Sequence, residues 1–413
     1  MYDNRNNCVY FENIISRKVL SVDFFNKRIS IAAKNPDMLD SDNVINGKPE
    51  TDVKEYLDSI RANHKNAVFG IVTTFDCNLS CKYCYEKSFR SERCTLNKQL
   101  SKDICNYIIK YLKYYKSEVV KVIFTGGEPT LNMDAIMEIA NFLRLNLNKM
   151  DIEFSFSIVT NGTIDISKYF QDLKELGLDL IQISLDGSKK MHNSRRVSNF
   201  DAHERTIKLI NKCADSGIRT LIRTNIDKEN IKDFDNMLLE IKELAQKDVV
   251  LSLYQTEKTL CERTSEHNNV FELDIIIKAF SLATKHGFKV NKHNPFFGGC
   301  MSLVPIGQFI DPFGNIYKCG GMLGHKNEIL GSIYDFDLVL SATNEYIDRK
   351  LDDECMECKL FPICTGGCIY NRYFTKHCDD IFKKRMYEKA KLELLLYLLE
   401  KNILRFPDNS SNG

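Results

Sequence analysis

Tryptophan is absent from the 413 residues, proline numbers only 8, and neither sign of charge prevails, with 57 Lys and Arg against 56 Asp and Glu. A net charge of +1 gives no electrostatic footprint for a nucleic acid or an anionic membrane surface, and neither partner is expected. No apolar run approaches the ~20 residues that a membrane span needs. The opening MYDNRNNCVYFENIISRK carries Asp, Asn and Glu where a signal peptide requires a basic start and an unbroken apolar core. A cytoplasmic location is therefore expected. No internal repeat or low-complexity block appears, and 43% hydrophobic with 27% charged residues is ordinary for a globular protein. At roughly 100–200 residues per domain the length predicts two or three domains.

What the chain has in excess is cysteine, 15 in all. The cytosol keeps thiols reduced, so a disulfide framework is excluded and metal ligation becomes the leading account. Cys8, Cys94, Cys105, Cys213 and Cys261 are scattered and read as small buried hydrophobes. The other ten fall in groups at 77–84, 300–319 and 355–378.

From residue 67 short β-branched runs alternate with amphipathic stretches. Strands are predicted at Ala67–Thr73, Val119–Phe124, Phe154–Val159, Leu180–Ser184, Arg219–Arg223 and Val249–Leu253, with helices near 98–116, 132–148, 166–176, 200–215 and 230–246. Six βα units predict an α/β fold, a partial (β/α)6 barrel of TIM type over 67–260, with its special residues at the C-terminal strand ends. Those ends read FDCNLSCKYCYEK, TGGEPT, TNGT, SLDGSKKMHNSRR, Thr224-Asn225 and Tyr254-Gln255. One Gly pair alone marks a turn; six such ends in register argue for a shared site. Residues 261–299 form a bridging region with a helical stretch near 271–286. The Gly- and Cys-rich segment 300–380 reads as a small domain stapled by metal. Residues 381–413 read as a C-terminal helix and tail. Within 1–66, VLSVDFFNKRISIA alternates like a strand or hairpin and ETDVKEYLDSIRAN like a helix.

Cys77-Asn-Leu-Ser-Cys81-Lys-Tyr-Cys84 places three thiolates in one loop. A closed zinc site wants a fourth ligand that this loop lacks, whereas three thiolates suit a 4Fe–4S cluster with one iron left open. With Gly-Gly-Glu-Pro at the end of the next strand, the sequence resembles the radical SAM superfamily over about 67–260. The resemblance implies that Cys77, Cys81 and Cys84, the catalytic candidates, hold a cluster whose unique iron is chelated by the amino and carboxylate groups of S-adenosylmethionine. Gly126 and Gly127 would let the backbone approach the methionyl ammonium, Glu128 would accept a charge-assisted hydrogen bond from it, and Pro129 would stiffen the exit. Tyr83 matches the aromatic position that lies against adenine. Ser184 and Arg196 match positions that contact the cofactor carboxylate in sulfatase-maturing relatives, with Arg195 standing beside the latter. Asn161 is both a favoured turn residue and a cofactor-contact candidate, and Asp186 and Asn225 are pocket candidates.

Cys300, Cys319, Cys355, Cys358, Cys364, Cys368 and Cys378 resemble the SPASM domain, which is appended to radical SAM enzymes that modify peptides and proteins. The block Cx2Cx5Cx3C and the spacing from Gly314 to Cys319 carry that resemblance. It implies one auxiliary cluster on Cys355, Cys358, Cys364 and Cys378 and another on Cys300, Cys319 and Cys368, three 4Fe–4S clusters in all. The sequence departs from the fullest pattern in that 291–299, NKHNPFFGG, has no Cys. Either Cys261 or His293 closes the second auxiliary cluster, or one iron is open to a substrate thiolate. CxxC spacing alone fits zinc sites equally well; the upstream barrel moves the reading to iron–sulfur.

The shared chemistry the resemblance implies is reductive cleavage of S-adenosylmethionine to a 5′-deoxyadenosyl radical, followed by a net oxidation whose surplus electron passes to the auxiliary clusters. Two outcomes compete: cross-linking, by thioether or otherwise, of a ribosomally made precursor peptide, and formylglycine formation in sulfatases. Sulfatase-maturing relatives carry an Asp base directly after the Cys matching Cys319, where this chain has Gly320. Peptide maturation is therefore expected, with a reducing partner such as flavodoxin or ferredoxin, and 1–66 reads as a shortened leader-peptide recognition element. A non-catalytic zinc or iron–sulfur carrier or scaffold is the alternative of another class; a carrier has no use for GGEP.

Overall fold

The alternating N-terminal segment folds as β1 (Tyr2–Asp3), β2 (Cys8–Asn13), β3 (Lys18–Asp23) and β4 (Arg28–Ala33), an antiparallel sheet in chain order. The hairpin expected in VLSVDFFNKRISIA is β3–β4, paired from Lys18↔Ala33 to Asp23↔Arg28. Beyond these strands, the computed structural model describes residues 62, 64–84, 86, 93–255, 273–291 and 301–347. The helices read near 50–63 and 383–404 lie outside the described residues.

Residues 64–293 and 301–349 make up a second compact unit. Its elements are β5 (Asn66–Thr74), β6 (Ser80–Cys81), α1 (Lys98–Tyr115), β7 (Val119–Gly126), α2 (Met133–Asn148), β8 (Glu153–Thr160), α3 (Phe170–Leu176), β9 (Leu178–Ser184), α4 (Lys189–Arg195), β10 (Arg196–Val197), α5 (Ala202–Asp215), β11 (Thr220–Ile226), α6 (Phe234–Glu240), β12 (Val249–Gln255), α7 (Leu273–Lys285) and β13 (Lys289–Val290). Strands β5, β7, β8, β9, β11 and β12 pair in parallel in that order, the expected partial barrel. Each predicted strand is present, with its ends shifted by three residues or fewer. α4 is an additional turn of helix, too short for its periodicity to show in the sequence.

Side chains alternate across each strand. One face is apolar and covered: Val120, Val122 and Phe124 of β7, Phe156 and Ile158 of β8 and Ile222 and Ile226 of β11 are wholly buried. The helices supply the matching surface, as with Ile136, Ile139, Ala140, Leu143 and Leu147 of α2. Each such side chain contributes roughly 1.5–3 kcal/mol by leaving water. The opposite, inner face carries Lys121, Ser155, Gln182, Ser184, Arg223 and Asn225, all half-buried.

The sheet does not end with β5. β14 (Gly307–Ile310) pairs with it in parallel, Gly307↔Val68 through Ile310↔Ile71, and β15 (Asn315–Tyr317) and β16 (Gly331–Ser332) follow antiparallel. α8 spans Phe336–Ile347. The sequence does not suggest these three strands because two to four residues are too short to show a period; α8 is a helix in a segment read from the sequence only as Gly- and Cys-rich. Phe309 of β14 lies against Gly70 of β5, where a Cβ would stand 2.2 Å from the ring. Helix α1 secures the addition: Tyr107 Oη donates to Gln308 Oε1 at 2.8 Å and Tyr111 Oη to the Pro305 carbonyl at 2.8 Å. The buried Lys318 ammonium donates to the carbonyls of Met301, Val304, Pro305 and Gly307, so its charge is solvated by backbone. Among the described residues no helix is long and apolar enough to cross a membrane.

Candidate functional site

The cysteine loop leaves the end of β5 and is fixed at both sides. β6 pairs antiparallel with β10, Cys81 opposite Arg196, and the Lys82 amide donates to the Arg195 carbonyl at 2.9 Å. Cys77, Cys81 and Cys84, none of them in a disulfide, surround a small apolar cluster with Leu79, Phe200 and Ala202. They border this cluster without meeting at one point: among the described residues no three His, Cys, Asp or Glu side chains converge closely enough to hold a single metal ion.

The Gly126-Gly127-Glu128 turn clamps the start of that loop. The Gly127 amide donates to the Thr74 carbonyl at 2.9 Å and the Glu128 amide to the Asp76 carbonyl at 2.8 Å. A Cβ on Gly126, whose φ is +141°, would lie 2.3 Å from the Thr74 oxygen, and one on Gly127 would lie 2.3 Å from that of Asp76. The close approach expected of these glycines toward a ligand is here an approach to the chain's own backbone.

Glu128 departs further from the expected ammonium contact. Its side chain is wholly buried, and its carboxylate already has four donors. Oε1 accepts from the Thr130 amide at 3.1 Å and from the Thr130 and Thr160 hydroxyls at 2.6 Å each, and Oε2 accepts from the Asn161 amide at 2.7 Å. Burial pushes this carboxyl above the usual range, and the hydrogen bonds from Asn161, Thr130 and Thr160 partly offset the rise. Pro129 begins the single helical turn that Glu128 caps, and its carbonyl accepts from Thr73.

Asn161, tied down by Glu128, turns its side chain to the cysteine loop. Its Nδ2 donates to Asn78 Oδ1 at 2.9 Å and toward Cys77 Sγ at 3.8 Å, while Oδ1 accepts from the Thr163 amide and hydroxyl. Asn78 returns a bond to the Thr163 hydroxyl at 2.9 Å. Asn78 and Thr163 carry no sequence signal of their own, because their pairing bridges two loops far apart in the chain.

Tyr83, Asp186 and Arg196 form a second knot. The fully buried Asp186 accepts from the Tyr83 hydroxyl, from Arg196 Nε at 2.7 Å and from the Asn225 amide at 3.1 Å. Burial would raise Asp186, but the Arg196 guanidinium above all holds its carboxyl below the usual range. Arg196, expected at the cofactor carboxylate, is thus matched inside the protein, and its Nη1 lies 4.0 Å from Cys81 Sγ. Arg195 pairs with Asp227 at 2.6 Å. Burial, with Asp186 at the hydroxyl, keeps Tyr83 protonated well above its ordinary value, and Asn225 Nδ2 donates to its oxygen at 3.3 Å. His192, which no sequence pattern marks, lies beneath this knot and accepts from the Asp186 amide at Nδ1 (3.3 Å). Ser184 ends β9 on the inner face, in register with Arg223.

Of the C-terminal cysteines only Cys319 is described; it caps the turn at Gly320–Met322, its Sγ accepting from the Gly321 amide at 3.4 Å. Cys300, Cys355, Cys358, Cys364, Cys368 and Cys378 lie outside the described residues, as does Cys261. Cys105 and Cys213 are buried with thiols pushed up by burial, Cys213 to about 12, as befits small core residues. Cys94 is half-buried.

Comparison with known proteins matches residues 71–241 to the radical SAM superfamily. The chain is 23% identical over 394 residues to the radical SAM cyclopropyl synthase TigE of Paramaledivibacter caminithermalis, covering 87% of this chain and 79% of that one. Its fold is shared by anSMEcpe bound to AdoMet and the Cp18Cys peptide, at TM-score 0.62, 18% identity and 82% and 99% coverage of the two chains. The fold is shared also by Streptococcus suis SuiB bound to its precursor peptide SuiA, at TM-score 0.54, 15% identity and 92% and 99% coverage. The superfamily uses a 4Fe–4S cluster and S-adenosylmethionine. A three-cysteine loop clamped by a Gly-Gly-Glu turn at the C-terminal edge of a parallel sheet, within the stretch that matches the superfamily, identifies residues 71–241 as a radical SAM domain.

Proposed function

We propose that the chain is a peptide maturase in which Cys77, Cys81 and Cys84 hold the 4Fe–4S cluster that binds S-adenosylmethionine, and that it cross-links a ribosomally made precursor peptide, through a thioether or another bond. The observation that carries the first part is the pair of donors at the loop's sulfurs, Asn161 Nδ2 at Cys77 and Arg196 Nη1 at Cys81. Donors so placed can orient sulfurs that ligate iron, by hydrogen bonds from outside the cluster. A four-iron cluster gives each thiolate a different iron, so the sulfurs need not meet at one point.

When bound, cluster and cofactor supply a carbon radical able to take hydrogen from an unactivated carbon. The protein binds and orients. The turn Gly126–Pro129 fixes the origin of the loop, Tyr83 offers a ring held by Asp186 and Asn225, and Ser184 and Asn161 face the cofactor. The fold shared with SuiB bound to its precursor peptide and with anSMEcpe bound to Cp18Cys supports a peptide substrate, and residues 1–66 serve as a leader-peptide element. Cys355, Cys358, Cys364 and Cys378 hold one auxiliary cluster and Cys300, Cys319 and Cys368 another, which take the surplus electron. A flavodoxin or ferredoxin supplies the first one, in the cytoplasm.

Cross-linking is favoured over formylglycine formation by Phe309. Its ring tip stands 2.8 Å from where a Cβ would be on Gly320, and the ring has little room to retreat because its other side lies on Gly70. The position after Cys319 is thereby closed to a side-chain base. Anaerobic reconstitution should give about twelve iron per chain, and a Cys-containing precursor peptide incubated with the enzyme should become two mass units lighter per link, with its bridged Cys no longer alkylated by iodoacetamide. A product that reacts with a hydrazide probe and lacks a bridge refutes the cross-linking assignment.

A further inference from the structure

We infer that Arg223 and Ser252 form a carboxylate-binding site on the inner face of the sheet, and that the substrate presents an acidic side chain there; this deepens the peptide-maturase reading and rests on it.

The geometry begins with alternation along β11. Thr220, Ile222, Thr224 and Ile226 are wholly buried on the covered face, which turns Leu221, Arg223 and Asn225 inward. Asn225 Nδ2 reaches the Tyr83 hydroxyl, so this face looks onto the cysteine loop. Arg223 stands two residues lower, about 6–7 Å deeper along the strand. Its guanidinium is fixed on two sides: Nε donates to Asn225 Oδ1 at 3.3 Å, and Cζ lies 4.1 Å from the centre of the Tyr254 ring.

The charge of Arg223 is unmatched on the described part of this inner face. Arg195, Arg196 and Arg219 each pair with an aspartate. Among the described residues no carboxylate comes within ion-pair distance of Arg223. Next to it in register on β12 is Ser252, 1% exposed, whose hydroxyl has no hydrogen-bond partner. A half-buried guanidinium with its outer fork unengaged, beside a buried hydroxyl without a partner, is a donor set built for an anion with two coplanar oxygens. Both groups carry a desolvation cost that only an incoming acceptor offsets. The source is the substrate, because Arg223 and Ser252 lie below the level of the cysteine loop and on the β11–β12 side of Ser184, the residue assigned to the cofactor.

The test uses the anaerobically reconstituted full-length chain, saturated with S-adenosylmethionine and titrated calorimetrically with acetyl-Ala-Asp-Cys-Ala-amide or acetyl-Ala-Asn-Cys-Ala-amide. The Asp probe should bind about tenfold more tightly than the Asn probe. Arg223→Gln should erase that preference, and Arg223→Lys should keep part of it, since an ammonium retains the charge without the fork. Equal binding of the two probes by the unsubstituted chain, or binding of neither, overturns the site. A matching loss of S-adenosylmethionine affinity in Arg223→Gln overturns it too, by assigning the guanidinium to the cofactor. The peptide-maturase reading fails on a different result, the absence of any modified peptide while the preference for Asp persists.

Discussion

Replacing Glu128 by Ala separates two accounts of the Gly-Gly-Glu-Pro motif. If the carboxylate met the cofactor's ammonium, its loss would weaken cofactor binding and leave the fold intact. In the structure it instead satisfies two backbone amides, those of Thr130 and Asn161, and two hydroxyls. The hydroxyls of Thr130 and Thr160 can rotate to other acceptors, but the amides cannot. Each buried amide left without a partner costs about 1–3 kcal/mol. The variant should therefore lose ~2–6 kcal/mol of stability, less whatever is regained because the carboxylate no longer has to be kept out of water. Glu128→Gln should lose less, ~1–3 kcal/mol, since an oxygen at Oε1 keeps three donors and only the Asn161 amide meets another donor. Loosening Asn161 also frees the side chain that holds Asn78 and Cys77, so iron at the first cluster should fall in the same order, Ala below Gln below the unsubstituted chain. The assays are urea denaturation under anaerobic conditions and iron content after reconstitution. A tenfold loss of cofactor affinity in Glu128→Ala, with an unchanged denaturation midpoint, would refute the reasoning and restore the direct contact.

Two further outcomes follow from the same knots. Burial first and Arg196 second hold His192 down at about 3 against an ordinary 6.5, so it folds uncharged. Its contribution is complete above pH 6.5; as pH falls below that value the unfolded chain takes up a proton that the folded chain refuses, and stability drops by up to ~1.4 kcal/mol per pH unit until about pH 3. From pH 6.5 to about 5, His192→Gln should lose roughly 2 kcal/mol less than the unsubstituted chain in denaturant titrations, and parallel curves would count against the assignment. Gly127→Ala pushes a methyl into the Asp76 and Phe75 carbonyls; it should cost at least ~1–3 kcal/mol and reduce iron at the first cluster, whereas a wild-type melting temperature would show that the clamp yields.

The barrel strands were readable because each is long, β-branched and followed by a helix with its own period. The cysteine loop was readable because its three cysteines are local. Partnerships between strand ends were not. Nothing near Arg196 in the sequence announces Asp186 as its counter-charge, and the carboxylate of Glu128 looks ligand-directed until Thr160 and Asn161, one strand away, are brought to it. Arg223 is one basic residue among 57 until its register places it inward beside Ser252. β14 stayed hidden for a different reason: four residues carry no period, and its pairing with β5 is a long-range event.

That pairing sets a timetable for the chain's synthesis. Val68 waits for Gly307, made about 240 residues later, before its edge is closed. Until then a nine-residue strand holding Phe69 and Ile71 stands open at the start of the sheet, with the cysteine loop directly after it. Such an edge invites pairing with another nascent chain. The stretch 71–241 is therefore not a portable module: cut free, it would keep Cys77, Cys81 and Cys84 but lose the first half of β5 and the strand that covers its edge. A truncation meant to isolate the barrel should carry residues 301–347 with it, and a cell that makes this protein must shelter the barrel's first strand until residues 307–310 have emerged.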